Sequence, residues 1–326
     1  MVVGDIITEL KKHNLLGRSG SAFPTGLKWE MVKNAKADKK YIICNGSEGE
    51  PKTFKDKFIL ENYPEEVIEG VKIALKTIDK SSAYIYLRKD YYQSFSRTLE
   101  EIIKDLPITL FKKSDGYLAG EETVVCQAIE GKRIEPRIKP PFPTQAGLWG
   151  YPTLINNVAT FYHVAKIAKG EFKKTRFYSI SGKIKKEGVY ELPEDWSIRK
   201  ILKETKNWPD LDFFLQSGGG AIGEILLPDE LDQKASGTGA IIVFGSKETN
   251  LFSLMKQWAQ FFLAENCDKC VPCREGVYRI AKMIDKGSID KKLLKDLFFV
   301  LEETSFCSLG KCLVTPFRSL IEKLLK

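Results

Sequence analysis

Tyr41-Ile42-Ile43-Cys44-Asn45-Gly46-Ser47-Glu48-Gly49-Glu50-Pro51 passes from a compact apolar run to a polar, glycine-bearing stretch. The apolar run predicts a buried strand. Its continuation has the make-up of a loop at the carboxyl end of a strand, where open α/β sheets bind ligands. Asn45, Glu48 and Glu50 put an amide and two acids beside glycines, suited to a ribose or a ring edge. A plain polar turn fits the local pattern equally well. Outward from this stretch, helices are expected over 54–60 and 64–75, a strand over 83–87 and a helix over 91–105 with Leu99, Ile102 and Ile103 on one side. A short helix over 5–13 precedes it. This alternation predicts a parallel or mixed sheet of the α/β (α+β) class.

Upstream, Gly17-Arg18-Ser19-Gly20-Ser21-Ala22-Phe23-Pro24-Thr25-Gly26-Leu27-Lys28-Trp29 is a loop of small residues opening into a helix. Such loops form anion-binding concavities, and Arg18 and Lys28 suit a phosphate or a flavin carbonyl. An ordinary turn remains open; neither a phosphate loop nor a dinucleotide fingerprint is spelled out. Downstream, Tyr117-Leu118-Ala119-Gly120-Glu121-Glu122-Thr123 runs into a helix through Ile129. Its adjacent acids suit the helix dipole as well as a ligand. Pro136-Arg137-Ile138-Lys139-Pro140-Pro141-Phe142-Pro143 is a stiff loop, because proline fixes φ. Asn156-Asn157 enters another helix; one amide satisfies the cap and the second is spare.

Near the C-terminal end, Cys267-Asp268-Lys269-Cys270-Val271-Pro272-Cys273 and the later Cys307 offer four thiolates. One tight run plus one distant cysteine suits a 4Fe–4S cluster. Zinc, which also takes four thiolates, more often uses two separated pairs. Redox thiols are a third alternative, and Cys312 is a spare ligand candidate. Cys44 and Cys126 sit in apolar surroundings and read as core thiols.

Of 326 residues, 43% are hydrophobic and 29% charged, the balance of an ordinary globular protein long enough for two or three domains. No apolar run is long enough to span a bilayer, and Met1-Val2-Val3-Gly4-Asp5 lacks the plan of a signal peptide, so a cytoplasmic location is expected. The net charge of +8 is spread along the chain, and no basic arm points to nucleic acid. His13 and His163 are the only histidines and neither sits in a catalytic-looking cluster.

Taken in order, these blocks resemble the NADH-binding flavoprotein subunit of the NADH:quinone oxidoreductase (respiratory complex I) family, with its relatives in soluble hydrogenases and formate dehydrogenases. The likeness runs through nearly the whole chain. It implies non-covalent FMN at or beside Gly17, Arg18, Ser19, Gly20, Lys28, Asn45, Glu48, Tyr117, Gly120, Glu121, Asn156, Asn157 and Thr160. It implies NADH against Phe23, Glu50, Glu122, Lys139 and Phe142, and a 4Fe–4S cluster on Cys267, Cys270, Cys273 and Cys307. The implied reaction is hydride transfer from NADH to FMN, then single electrons to the cluster and to other iron–sulfur subunits of a hetero-oligomeric complex. No side chain need act as a general acid. Glu122 would disfavour a 2′-phosphate, so NAD(H) is expected over NADP(H).

The chain departs from the family pattern at Ser19, where glycine is usual, and at Ser47, where an acid is common beside the flavin. The N-terminal extension of many relatives, often with a thioredoxin-like domain, is expected to be missing. A flavin-free structural or electron-relay subunit and a zinc-bound interaction protein are the rival readings. The same module serves quinone reductases, hydrogenases, formate dehydrogenases and bifurcating complexes, and the resemblance leaves the acceptor open.

The expected division is a Rossmann-like FMN and NADH domain over 1–172, a ubiquitin-like β-grasp over 173–248 and a helical cluster domain over 249–326. In the middle segment, 177–182 and 188–192 read as a hairpin, 197–205 as a helix, and 213–215 and 240–244 as strands. Gly218-Gly219-Gly220 reads as a turn rather than a nucleotide site. Beyond it, Leu251, Leu254, Trp258, Phe261 and Phe262 form a core-facing stripe, with further helices over 276–284, 291–302 and 316–325.

Overall fold

The computed structural model describes residues 5–114 and 116–325. The signal-peptide reading of the first four residues lies outside them. The chain divides into two compact units, Met1–Gly49 with Phe54–Phe177, and Glu50–Thr53 with Tyr178–Lys326.

The first unit is built on four parallel strands: β1 (Lys40–Gly46), β2 (Ser81–Leu87), β3 (Ile108–Lys112) and β4 (Thr153–Asn157), in the order β3-β2-β1-β4. β1 is buried along nearly its whole length, as an apolar strand covered on both faces must be. Helices Pro64–Thr77 and Val158–Ala168 pack beside the sheet, and Ile42, Ile43, Val67, Val71 and Phe161 lie in the core with no exposed surface. The chain steps from β1 to β2 and β3 on one side, then returns to place β4 on the other. The gap between β1 and β4 is therefore a topological switch point, where the loops leaving adjacent strands part and open a crevice.

Two strands of this unit are not announced by the sequence pattern. β3 is a short edge strand, and β4 runs straight into a helix whose entry its last residues also spell. Asn157 does both jobs. It ends β4, and its side chain caps the helix Val158–Ala168 by accepting from the Ala159 N–H at 2.9 Å.

The second unit begins with a mixed sheet of β5 (Thr175–Gly182), β6 (Gly188–Pro193), β7 (Phe213–Ser217), β8 (Glu224–Leu226) and β9 (Ala240–Gly245), in the order β6-β5-β9-β7-β8. β9 runs parallel to β5 and antiparallel to β7. The helix Ile198–Glu204 lays Ile198, Ile201 and Leu202 on Tyr178, Ile180, Leu215, Ile241 and Val243. The last strand inserted beside the first, with a helix crossing the sheet, is the β-grasp arrangement. Helices Leu251–Ala264, Val271–Asp285, Lys291–Thr304, Ser308–Cys312 and Val314–Leu324 follow. The second of them starts earlier than the expected 276, because Pro272 is tolerated in a first helical turn, and so Cys273 is helical. No helix among the described residues is long and apolar enough to cross a membrane.

Candidate functional site

At the switch point the ends of β1 and β4 bring Asn45, Asn157 and Gly120 into one bonded group. β1 ends at Asn45, whose Nδ2 donates to Gly120 O at 3.0 Å and whose Oδ1 accepts from Ser47 N at 3.1 Å. Across the gap, β4 ends in Asn156, whose Oδ1 accepts the Trp29 indole N–H at 2.9 Å, and in Asn157. Asn45 and Asn157 are register partners, and Asn157 Nδ2 donates to Asn45 O at 3.4 Å and to Asp56 Oδ2 at 2.5 Å. Tyr117 lies over Gly49, whose missing side chain would come within 3.3 Å of Tyr117 Cα. Ser47 is buried and its side chain packs on the bare Cα of Gly120.

The loop from Gly17 is closed by the Leu16–Pro24 bridge and by Gly17 N–H donating to Phe23 O at 2.9 Å. Ser19 and Gly20 are exposed at its tip. Thr160 Oγ1 accepts the Arg18 N–H at 3.0 Å and so pins the loop to the helix after β4. The Arg18 side chain is buried, and its Nη2 donates to Thr175 O at 3.3 Å. The lysine over the end of β4 is Lys28, whose Nζ donates to Ile155 O at 3.3 Å. Burial pulls its pKa below the usual value, with the Glu122 carboxylate opposing and the Lys139 cation adding to the fall.

Glu121 caps the helix Glu122–Ile129, accepting from Thr123 N at 2.8 Å and Val124 N at 3.1 Å. The capping role is therefore real. Its other oxygen accepts from Lys139 Nζ at 2.8 Å, and Lys139 also reaches Glu122 Oε1 at 2.8 Å. Lys28 Nζ stands 3.7 Å from Glu122 Oε2 and 5.5 Å from the Phe23 ring centroid. Burial works against the Lys139 charge, but Glu121 and Glu122 outweigh it and hold its pKa above normal. Phe23, Glu122 and Lys139 are thus linked through Lys28 and the two carboxylates. Phe23 is 39% and Phe142 48% exposed. Glu50 belongs to the second unit. There its Oε1 accepts from Ala221 N at 2.8 Å and Ile222 N at 3.3 Å. A side chain on Gly219, at φ 150°, would overlap that carboxylate, so the triple glycine is a turn that seats this acid.

Beneath the crevice is a group that the sequence did not reveal. Glu48 accepts from Asp56 N at 3.0 Å, Lys57 N at 3.2 Å, Lys55 Nζ at 3.2 Å and Tyr91 Oη–H at 2.8 Å. Lys55 also donates to Asp56 Oδ1 at 2.8 Å. All three charged side chains are buried. Burial pushes the Asp56 carboxyl up to about 6, the Glu48 charge pushes the same way, and Lys55 opposes. For Lys55, burial disfavours the cation, but Asp56 and Glu48 win and raise its pKa. In Lys55-Asp56-Lys57 the tertiary fold buries the first two side chains and leaves Lys57 exposed.

In the second unit, Cys267 precedes the helix Val271–Asp285, Cys270 caps it, Cys273 sits in its first turn, and Cys307 caps Ser308–Cys312. No disulfide joins them. Burial, followed by the neighbouring thiols of Cys270, Cys307 and Cys267, pushes the Cys273 thiol up to about 12. The short helix that Cys307 caps packs on this run, since a Cβ built on its Gly310 would stand 3.4 Å from the Cβ of Cys273. Among the described residues no three His, Cys, Asp or Glu side chains close on a single-ion position. A four-iron cluster spreads its ligands, one thiolate to each iron, and an all-cysteine set from two helix starts fits that demand. Likewise the paired amides, the loop of small residues and Lys28 fit a phosphorylated planar ring system.

Residues 10–166 match the family model Complex1_51K, the Nuo51 FMN-binding domain, and residues 253–325 match the NADH-ubiquinone oxidoreductase-F iron-sulfur binding region. The NADH-quinone oxidoreductase F subunit of Aquifex aeolicus (strain VF5) is 33% identical, over 98% of this chain and 84% of its own length. NADP-reducing hydrogenase subunit HndC of Solidesulfovibrio fructosivorans is 31% identical, over 99% of this chain and 75% of its own. The crystal structure of an NAD+-reducing NiFe-hydrogenase in the H2-reduced state superposes with a TM-score of 0.91 at 27% identity; this chain is covered to 98% and spans 61% of that one. The chain belongs to the family of the NADH-quinone oxidoreductase F subunits, with its FMN-binding domain and its iron–sulfur binding region.

Proposed function

We propose that this chain is the electron-input subunit of a larger redox assembly, oxidising NADH at FMN and passing single electrons to a 4Fe–4S cluster and on to other iron–sulfur subunits. The observation that most supports this is the meeting of Asn45, Asn156 and Asn157 at the switch point, inside the segment that matches the FMN-binding domain. Bound FMN supplies the exchange between a two-electron hydride and single electrons.

The chain's own residues bind and orient. Residues 17–20 and Lys28 receive the flavin phosphate, with Arg18 and Thr160 holding the loop in shape. The amides of Asn45, Asn156 and Asn157 face the ring edge, with Tyr117 and Gly120 beside it. Glu48 and Glu121 keep the two loops that carry these contacts in place through their capping bonds. Phe23 and Phe142 stack on the nucleotide, and Glu122 and Lys139 set its position. Cys267, Cys270, Cys273 and Cys307 ligate the cluster. Residues 1–172 carry the flavin and nucleotide, 173–248 a packing and docking module, and 249–326 the cluster. The expected location of the assembly is the cytoplasm or the cytoplasmic side of a membrane complex.

The test is to load the purified protein anaerobically with FMN, iron and sulfide, and then denature it. Released FMN and four iron atoms per chain support the reading; zinc in place of iron, or no flavin, overturns it. Nucleotide choice is a separate outcome. Glu122 is negative but held between Lys28 and Lys139, so its repulsion of a 2′-phosphate is partly offset. The expected result is higher kcat/KM for NADH than for NADPH, with the ratio falling in Glu122→Gln. A wild-type preference for NADPH contradicts the assignment.

A further inference from the structure

Ser305 caps the C-terminal end of the helix Lys291–Thr304, just before Cys307. It is 5% exposed, and its Oγ is buried with no hydrogen-bond partner. Its backbone N–H is satisfied, donating to Leu301 O at 3.3 Å. A buried hydroxyl without an acceptor is costly enough that each one calls for a reason, and a group bound later is one such reason. Gly310 supplies the location. It lies in the short helix that Cys307 caps. A Cβ built on Gly310 would overlap Ser305 Oγ, approach Ser305 Cβ to 2.8 Å and stand 3.4 Å from the Cβ of Cys273. The hydroxyl, the bare Cα of Gly310 and Cys273 therefore border one small volume.

We propose that Ser305 Oγ–H donates a hydrogen bond to a sulfur of the cluster site, thiolate or sulfide, and that Gly310 lacks a side chain so that this hydroxyl can approach. The proposal rests on the reading of Cys267, Cys270, Cys273 and Cys307 as cluster ligands. A donor to sulfur stabilises the more negative, reduced state, so Ser305 raises the cluster's reduction potential. It is a positioning residue and takes no part in bond making.

The experiment is a redox titration of the reconstituted protein followed by EPR of the reduced cluster, on wild type, Ser305→Ala, Ser305→Thr and Gly310→Ala. In Ser305→Ala the reduced-to-oxidised ratio at a fixed solution potential falls roughly tenfold, about 59 mV for a one-electron couple. Ser305→Thr keeps the hydroxyl and stays near wild type. Gly310→Ala displaces the hydroxyl and shifts the potential the same way, and combining it with Ser305→Ala adds nothing further. An unmoved potential in Ser305→Ala with full iron content overturns the proposal alone. Should that variant fail to hold iron, an unmoved potential in Gly310→Ala overturns it. Wild type that takes up no iron overturns the ligand reading, and this inference with it.

Discussion

The switch-point crevice and the cysteine cradle meet the same demand, holding a redox group, in opposite ways. In the crevice, the polar side chains answer one another. Glu48 is met by Lys55, Tyr91 and two backbone N–H groups, Glu121 by Lys139 and two more, and Asn157 by Asp56 and Ala159. In the cradle, four unbridged cysteines and an unpartnered serine hydroxyl surround helix starts. A parallel sheet fixes the ends of its strands, so a ligand there finds a preorganised surface. Helix ends and loops position the thiols of the cradle, and a metal group bound by them couples its binding energy to folding.

The hardest way to break this contrast is to remove a ligand. Cys270→Ala is expected to lose its iron to background while FMN content stays at the wild-type level; loss of both groups together would mean that the two sites are not built independently. Next comes the buried ion group. Lys55→Met leaves Glu48 and Asp56 as uncompensated buried acids, which costs about 3–5 kcal/mol in stability. Thermal unfolding of the FMN-loaded protein reads this directly, and a change near zero would show that the group is not a structural keystone of the crevice. A smaller loss, about 1–3 kcal/mol, is expected from Thr160→Val, which strands the buried Arg18 N–H; weaker FMN affinity should accompany it.

The finest test uses pH. The Asp56 carboxyl rises from 3.8 to about 6 on folding, so the folded protein holds a proton that the unfolded chain releases. Stability from this source is full below about pH 4 and is lost as pH rises through 6. Denaturant unfolding across that window should show wild type losing stability relative to Asp56→Asn. Parallel slopes for the two would place the titration elsewhere.

The fold was legible where pattern follows burial. Tyr41 to Cys44 announced a doubly covered strand, and the alternation after it announced the α/β sheet. β4 was not legible, since Thr153-Leu154-Ile155-Asn156-Asn157 is short and ends in residues that equally begin a helix, and the structure uses Asn157 for both. The cysteine set was the plainest signal, because spacing alone restricts what four thiolates can bind. The charged group at Lys55 and Asp56 was silent: three consecutive charges suggest solvent, and the return of β4 and the helix bearing Tyr91 enclose the first two while Lys57 stays exposed. Glu50 shows the converse. Its block was readable, but that its carboxylate would accept from Ala221 and Ile222 depended on a turn far along the chain.

The most direct measurement of the central claim is an anaerobic titration of the loaded protein with NADH, following the visible flavin band and the EPR signal of the cluster together. The account predicts that NADH bleaches the flavin and that a reduced-cluster signal appears, which a one-electron dye then discharges. A protein that carries both FMN and iron yet keeps its flavin band unchanged under excess NADH would contradict it.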